Sequence, residues 1–329
     1  MKMSNKFLVP GAVLVLSVLN LGQASAAELK LGHVYEDKHP IHTAALSAAE
    51  DFKQCTAGAH SIAVFPASQL GKETALNEQI QFGGVDIILT GQIFSSAAYP
   101  ALAVGAVPYI FRNRDHALQY RSSEVLGDLM KGWSDTTGHE MMSAAYFGAF
   151  QVGSQKNPVN GPEDMKGLKI RVPDSPFYKA FPDAVGANPT PVAFSEVYLA
   201  LQQGVVSATV NPVPTIYAKK FYEVLDYVAL TNHLVEYVMW VSGGHVSKSI
   251  DDAGMECLRT AAKKFGDEAT GDVVKQEDDL QKLMTDNGWL KFTEPDPAPF
   301  VEMTSFIVED GIRENKWSRE TVDRILDLK

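Results

Sequence analysis

The sequence predicts an α/β protein divided into two lobes, and three observations carry that expectation. Short runs rich in β-branched residues alternate with segments of helical periodicity along the chain, the pattern of βαβ units. The length left after an N-terminal leader, roughly 300 residues, exceeds what a single hydrophobic core ordinarily organises. The stretch from Asp251 to Asp286 keeps Met255, Leu258, Ala262, Phe265 and Ala269 at helical spacing, which makes one unusually long helix.

The leader comes first. Lys2 and Lys6 precede an apolar run from Phe7 to Leu21, and Ala24-Ser25-Ala26 fits the small-x-small cleavage rule. Residues 1–26 are therefore expected to be an export signal, since about 15 apolar residues fall short of the about 20 that span a bilayer. No Cys lies near the cleavage point to carry a lipid anchor, and no later stretch is apolar for long enough to insert.

Glu28 to Tyr35 alternates and is expected as an edge strand. The loop EDKHP leads into a helix from Ile41 to about Gln54. Ser61 to Phe65 is a second strand, ended by Pro66. A helix from Glu73 to Phe82 puts Leu76 and Ile80 inward, and Gly83-Gly84 stops it. Val85 to Thr90 is a buried strand whose carboxyl end delivers Gly91, Gln92 and Phe94. Pro100 to Phe111 is apolar and punctuated by proline. Asp115 to Gly132 reads as one helix with Leu118, Val125 and Leu129 inward, and Met141 to Phe147 as a strand. The following GAFQVGSQKNPV is expected to cross between lobes. After Asn211 come a helix from Pro214 to Phe221, a strand in YVALTNH, and the strand Val235–Ser242 that crosses back. Asn287-Gly288 ends the long helix, and the tail from Phe300 to Leu328 is helical, with Trp317 as a packing residue.

Composition limits the partners. At 45% hydrophobic and 21% charged this is an ordinary globular chain. Its net charge of -11 has no basic cluster to offset it, which makes it a poor binder of nucleic acid or anionic membrane. Any anion site must then be built from local charge, because the overall field repels anions. Cys55 and Cys257 are the two cysteines; a disulfide in an exported protein and two buried thiols are both open.

The stretch most able to carry chemistry runs from Gly167 to Pro212 and reads as strand, helix, strand. Arg171 ends the first strand, and ligands of open α/β sheets bind outside the carboxyl ends of strands. A guanidinium there can pair bidentately with a carboxylate. Phe194 precedes the helix and Asn211 follows the second strand. From the first lobe, Gln92, Tyr35 and His39 could face the same cleft, and Phe150 and Tyr237 lie near the two crossings. The plainer readings are a surface amide for Gln92 and a turn residue before Pro40 for His39.

The blocks KIRVP, GANPTPVAFSEVYLALQQG, NP and KKFYEVLDYVALTNH occur in order, with FPASQLGKETALNEQIQFGGVDI and YPALAVGAVPYIF upstream. Together they resemble the extracytoplasmic solute-binding proteins of TRAP transporters, the DctP-like family, over nearly the whole mature chain. The resemblance implies a periplasmic-binding-protein fold of two hinged lobes, with the long helix spanning both. It puts residues 27–147 and 237–276 in lobe I and 148–236 and 277–329 in lobe II. It implies a small carboxylate ligand, a TRAP membrane permease as partner, no cofactor, no catalytic residue and no metal. By the same resemblance Arg171 clamps the ligand carboxylate, Asn211 helps hold it, and Phe194 covers its apolar part.

Two positions depart from the family pattern. Many members carry a second Arg where this chain has Phe150, and sialic-acid-binding members carry an acidic residue where it has Gly91. One positive clamp then implies a ligand with a single carboxylate and an apolar or hydroxylated body, rather than a dicarboxylate or sialic acid. Two other functions stay in view. An exported metal-assisted hydrolase could use His33, His39 and His42, although a zinc site wants three or four convergent ligands and the chain has no HExxH. A ligand-sensing module for a membrane receptor would share the fold. No GxSxG, Walker loop or GxGxxG is present.

Overall fold

The structure is a computed structural model and describes residues 26–329. The expected export signal falls outside the described residues, apart from Ala26.

The first half of the chain builds one sheet. Strand β1 (Ala27–Gly32) leads to helix α1 (Pro40–Cys55), then β2 (His60–Phe65), α2 (Glu73–Gln79), β3 (Ile87–Gly91) and the short α3 (Gln92–Ser95). Parallel pairing of β1 with both β2 and β3 places β1 inside the sheet. It had been expected at an edge; β2 takes that place, because the chain winds outward before it winds back. Leu76 and Ile80 are buried as expected, and Gly83 closes the turn with φ 77°, a conformation that favours glycine.

The expected single helix from residue 115 to 132 is two helices, α4 (Arg114–Arg121) and α5 (Glu124–Thr137). Ser123 separates them: its hydroxyl accepts from Leu126 N, so it caps the second helix and ends the first. The break turns Tyr120 inward, buried, and leaves Leu118 half-buried; Val125 and Leu129 are buried as expected.

Strand β4 (Glu140–Ala149) returns to the first sheet, and β5 (Gln151–Ser154) already belongs to the second. Phe150 alone separates them. The second sheet adds β6 (Lys169–Val172), α6 (Ala180–Ala184), β7 (Asn188–Pro191), α7 (Val197–Gln202), β8 (Ala208–Asn211), α8 (Val213–Ala218) and β9 (Tyr227–Ala229). The region read as strand, helix, strand thus holds three strands, with Asn211 inside the last. Strand β7 is NPTP, and proline confines it to the sheet edge, where no ladder donor is missed. Strand β10 (Val235–Ser242) crosses back and pairs antiparallel with both β3 and β4. The resulting orders are β2-β1-β3-β10-β4 and, with β11 (Lys291–Thr293), β11-β9-β5-β8-β6-β7. Phe150 N donates to Leu234 O at 2.7 Å and so ties the two crossings together.

Helix α9 (Asp252–Asp286) is one run of 35 residues, capped by Asp251 through Gly254 N at 2.8 Å. It packs on α1 and β4 of the first sheet and on α8 and β11 of the second. Its Glu277 accepts from Tyr146 Oη at 3.1 Å and Ala149 N at 3.2 Å, beside the first crossing. A disulfide joins Cys55 at the end of α1 to Cys257 in α9. The tail forms α10 (Ala298–Thr304), α11 (Phe306–Arg313) and α12 (Arg319–Leu326). Phe300 stacks on Phe181 of the second half, and Trp317 is buried near Phe177. Helix α12, by contrast, packs on α5, where Arg324 meets Asp128 at 2.7 Å and His116 meets Ile325 O at 2.8 Å. The tail therefore touches both halves. No helix among the described residues is long and apolar enough to cross a membrane.

Candidate ligand-binding site

Both sheets point the carboxyl ends of their parallel strands toward one enclosed space. A cavity of about 50 Å³ lies there. Tyr35 reaches it from the loop after β1, Gly91 from the end of β3, Arg171 from the end of β6, Asn211 from the end of β8, and Glu236 from the start of β10. The placement is that of a ligand crevice in open α/β sheets.

Arg171 is 1% exposed. Strand β6 buries it because β7 and β8 flank it in register, with Thr190 and Thr209 opposite. Its Nε and Nη2 donate to Val192 O at 3.0 and 2.8 Å, which fixes the guanidinium plane. Its Nη1 is buried with no partner. The side edge of the fork is thus occupied by backbone, and the end edge is free. No carboxylate among the described residues lies within ion-pair distance of it. Burial pulls its pKa down to about 10, against the opposing pull of Tyr178, Glu73 and Asp174. An unpaired buried guanidinium is costly, and an anion on the free edge would relieve that cost. Asn211 is held beside it: Thr209 Oγ1 donates to Asn211 Oδ1 at 3.0 Å, leaving the amide nitrogen as the donor available to a ligand.

Two acids line the same cavity, and sequence reasoning missed both. Glu236 is 2% exposed and accepts from Tyr178 Oη at 2.7 Å and Ile93 N at 3.3 Å. Glu73, at the head of α2, is half-buried with its carboxylate turned inward, accepting from Gly91 N at 2.6 Å and Thr90 Oγ1 at 3.0 Å. Burial raises Glu236 to about 8 and Glu73 to about 7. Gly91 sits between them. A Cβ on it would lie 3.3 Å from both Glu236 Oε1 and Tyr178 Oη, so the absence of a side chain lets these groups close over β3. A signal for Glu236 was present: it is the lone charge in the otherwise apolar VEYVMWVS, and acids are rarely buried without a role.

The walls are aromatic and continuous. Ring centroids run from Phe194 to Tyr35 (6.2 Å), Phe147 (5.3 Å), Phe150 (6.1 Å), Tyr178 (6.1 Å) and Phe94 (5.8 Å). The two halves also meet around the rim. His39 Nε2 lies 3.1 Å from Thr215 Oγ1, Lys72 pairs with Asp174 at 3.6 Å, and Lys219 pairs with Glu36. This is the closed arrangement of two lobes.

Of the eight positions singled out from sequence, Tyr35, Phe150, Arg171, Phe194 and Asn211 line the cavity. Three do not. Gln92 opens α3 with its amide buried away from the cavity and without a partner. Tyr237 turns to the opposite face of β10, donates to Ala117 O at 2.7 Å and packs on Tyr120 and Tyr146. His39 lies one layer back, where it stacks on Phe147 and caps α1 through Ile41 N at 3.2 Å.

The family profile described as "Bacterial extracellular solute-binding protein, family 7" (DctP) matches residues 31–314. The chain belongs to the DctP family. It is a TRAP-type periplasmic solute-binding protein, and the family consists of binding proteins rather than enzymes. The chain is 31% identical over 302 residues to the sialic acid-binding periplasmic protein SiaP of Vibrio cholerae, covering 92% of each chain. It is 32% identical over 309 residues to a solute-binding protein of Roseobacter denitrificans, covering 91% of this chain and 92% of that one. A crystal structure from Roseobacter denitrificans with bound L-galactonate superposes with a TM-score of 0.82 at 28% identity, covering 92% of this chain and 98% of that one. A Bordetella structure with density assigned to pantoate, at 23% identity and TM-score 0.86, repeats the two-lobed fold.

The hydrolase alternative loses its ligands as well as its family. His33 Nε2 bonds His42 Nδ1 at 3.1 Å, while both nitrogens of His39 are engaged by Ile41 N and Thr215. Burial lowers His33 and His39 to about 3, which keeps them neutral. Among the described residues no cluster of three His, Cys, Asp or Glu could hold a metal.

The raised acids of this DctP protein make a stability prediction. A carboxyl raised from 4.5 to about 8 keeps its proton in the folded state after the unfolded chain has lost its own. Stability from that group therefore falls as pH rises from about 4.5 to 8. Glu236→Gln removes this loss, so the variant should gain on the parent by about 3 kcal/mol between pH 5 and pH 8. Urea denaturation of the ligand-free proteins at both pH values measures it; an offset that does not change with pH refutes the assignment.

Proposed function

We propose that this DctP-family protein captures a compact acid through a single carboxylate held by Arg171 and Asn211, closes two lobes over it, and delivers it to a TRAP-type membrane permease. Residues 27–147 and 237–276 would form one lobe and residues 148–236 and 277–329 most of the other. Export by a cleaved leader at residues 1–26 accords with the family's extracytoplasmic role. The observation that carries the reading is the free edge of Arg171, a buried donor with no protein partner on the cavity wall.

The relatives' names and ligands support an acid: sialic acid, 2,3-diketo-L-gulonate, C4-dicarboxylates, L-gulonate and succinate among them. Which acid is narrowed by two side chains. Phe150 stands where a second clamping Arg is expected, and Gly91 where sialic-acid binders carry an acid. A cavity of about 50 Å³ in the closed form also has room for only a few water-sized groups. These features favour one carboxylate on a small body. Closure strengthens the pair because water leaves the cleft, and the ligand can hold the closed form only through contacts it lacks in the open one.

Thermal-shift screening of the mature protein against mono- and dicarboxylates tests the reading. Stabilisation confined to monocarboxylates is expected; stronger stabilisation by C4-dicarboxylates would overturn it.

A further inference from the structure

The carboxylate clamp accounts for Arg171 and Asn211 but leaves two buried acids on the same wall unexplained. Glu73 and Glu236 bracket Gly91 on the first-sheet side of the cavity that Arg171 enters from the second sheet. Neither forms an ion pair with a Lys or Arg among the described residues. A ligand that carries only negative charge is repelled by either acid once it ionises. We propose that the ligand is a compact zwitterion, an amino acid or quaternary-ammonium acid whose carboxylate meets Arg171 and whose cationic nitrogen meets Glu236 and Glu73. This deepens the carboxylate reading above and rests on it.

Three observations converge on that assignment. The two acids line the same small cavity as Arg171, whose Nη1 has no partner, and Glu73 is near enough to act on the guanidinium charge, so a positive and a negative pole share one space. The lining also holds six aromatic rings in an unbroken series, and ring faces attract a cation held within about 6 Å. The charges also balance: a zwitterion adds no net charge, and one ionised carboxylate among the two acids neutralises the guanidinium. A simple monoanion would need both acids protonated to leave the cavity neutral.

The same groups set the pH response. Glu236 faces Tyr178 Oη from the second half and Ile93 N from α3; Glu73 faces Thr90 and Gly91 N, with Arg171 and Asp174 from β6 and the loop after it, Lys72 at the rim, and Tyr35 behind. Without ligand, burial holds both acids near neutrality in their titration. An ammonium group stabilises their ionised form, so binding releases a proton and tightens from pH 6 to pH 8. A hydroxy acid that accepts hydrogen bonds from protonated carboxyls would weaken over that range.

The test uses pairs matched in shape and differing in charge: glycine betaine with 3,3-dimethylbutyrate, L-proline with cyclopentanecarboxylate, and 4-aminobutyrate with pentanoate. Calorimetry is run on the mature protein after unfolding and refolding to remove bound ligand. The zwitterion of at least one pair is expected to bind tenfold or more tightly than its monoanionic carbon isostere at pH 8. In Glu236→Gln, with retained folding checked by circular dichroism, that preference should shrink at least threefold. Monoanionic isosteres binding as tightly as their zwitterions overturn this inference and leave the carboxylate clamp standing. Absence of binding by every acid in the set, zwitterion or monoanion, overturns both.

Discussion

Arg171→Met is expected to abolish ligand binding and to make the ligand-free protein more stable. Both effects come from one buried charge. In the proposed complex the guanidinium and a ligand carboxylate would be desolvated together, and removing one partner of such a pair costs about 2–5 kcal/mol, roughly a 30-fold to several-thousand-fold rise in Kd. Without ligand the same charge has Val192 O as its hydrogen-bond acceptor and no ion-pair partner among the described residues, and its Nη1 has no partner. The depression of its pKa to about 10, well below the ordinary guanidinium value, is the sign of a folded state that disfavours the charge. A base with a depressed folded pKa destabilises the protein at every pH below that value. Methionine fills a similar volume without the charge, so stability should rise by about 1–3 kcal/mol. Calorimetric titration and urea denaturation at pH 7 read the two effects separately. Unchanged affinity in a folded variant would remove Arg171 from the site.

Loss of the Cys55–Cys257 bond is the second large effect. The bond closes a loop of sequence separation 202. Restricting so long a loop in the unfolded chain accounts for about 5 kcal/mol by loop entropy, and measured effects are commonly 2–4. The bond joins the end of α1 to the first third of α9, helices that already share the buried Phe52, Leu258 and Ala261. That packing survives reduction, so the folded form should persist with its unfolding free energy lowered by about 3–5 kcal/mol. Denaturation with and without reductant measures it, and Cys55→Ser with Cys257→Ser should reproduce the shift. A change under about 1 kcal/mol would mean that the reduced unfolded chain is already compact.

Much of the fold was legible because it follows from periodicity. The alternation of strands and helices, the long helix ending at Asp286, and the two crossings within GAFQVGSQKNPV and Val235–Ser242 all appear in the residue pattern. The interior place of β1 did not, since sheet order depends on winding direction and not on local sequence. The Ser123 break was written in the sequence as a cap but hidden inside an amphipathic run.

The site divides in the same way. Arg171, Asn211 and Phe194, expected from strand ends and family blocks, line the cavity. Tyr237 was expected there, but its neighbour Glu236 is the residue of β10 that lines it. In a strand buried on both faces, alternation no longer says which side meets the ligand, and a slip of one residue exchanges the faces. Gln92 follows the same rule at the end of β3, where Gly91 meets the cavity and the next side chain turns into the core.

Phe150 has a consequence of its own. It is both a wall of the cavity and the single residue between β4 and β5, tied to Leu234 at the second crossing. In the capture proposed above, rotation about the two crossings would leave a ring at the fulcrum almost no lever arm. Phe150 would then stand at nearly the same distance from a ligand in the open and the shut form, gauging bulk before closure brings Arg171 and Glu73 together to read charge.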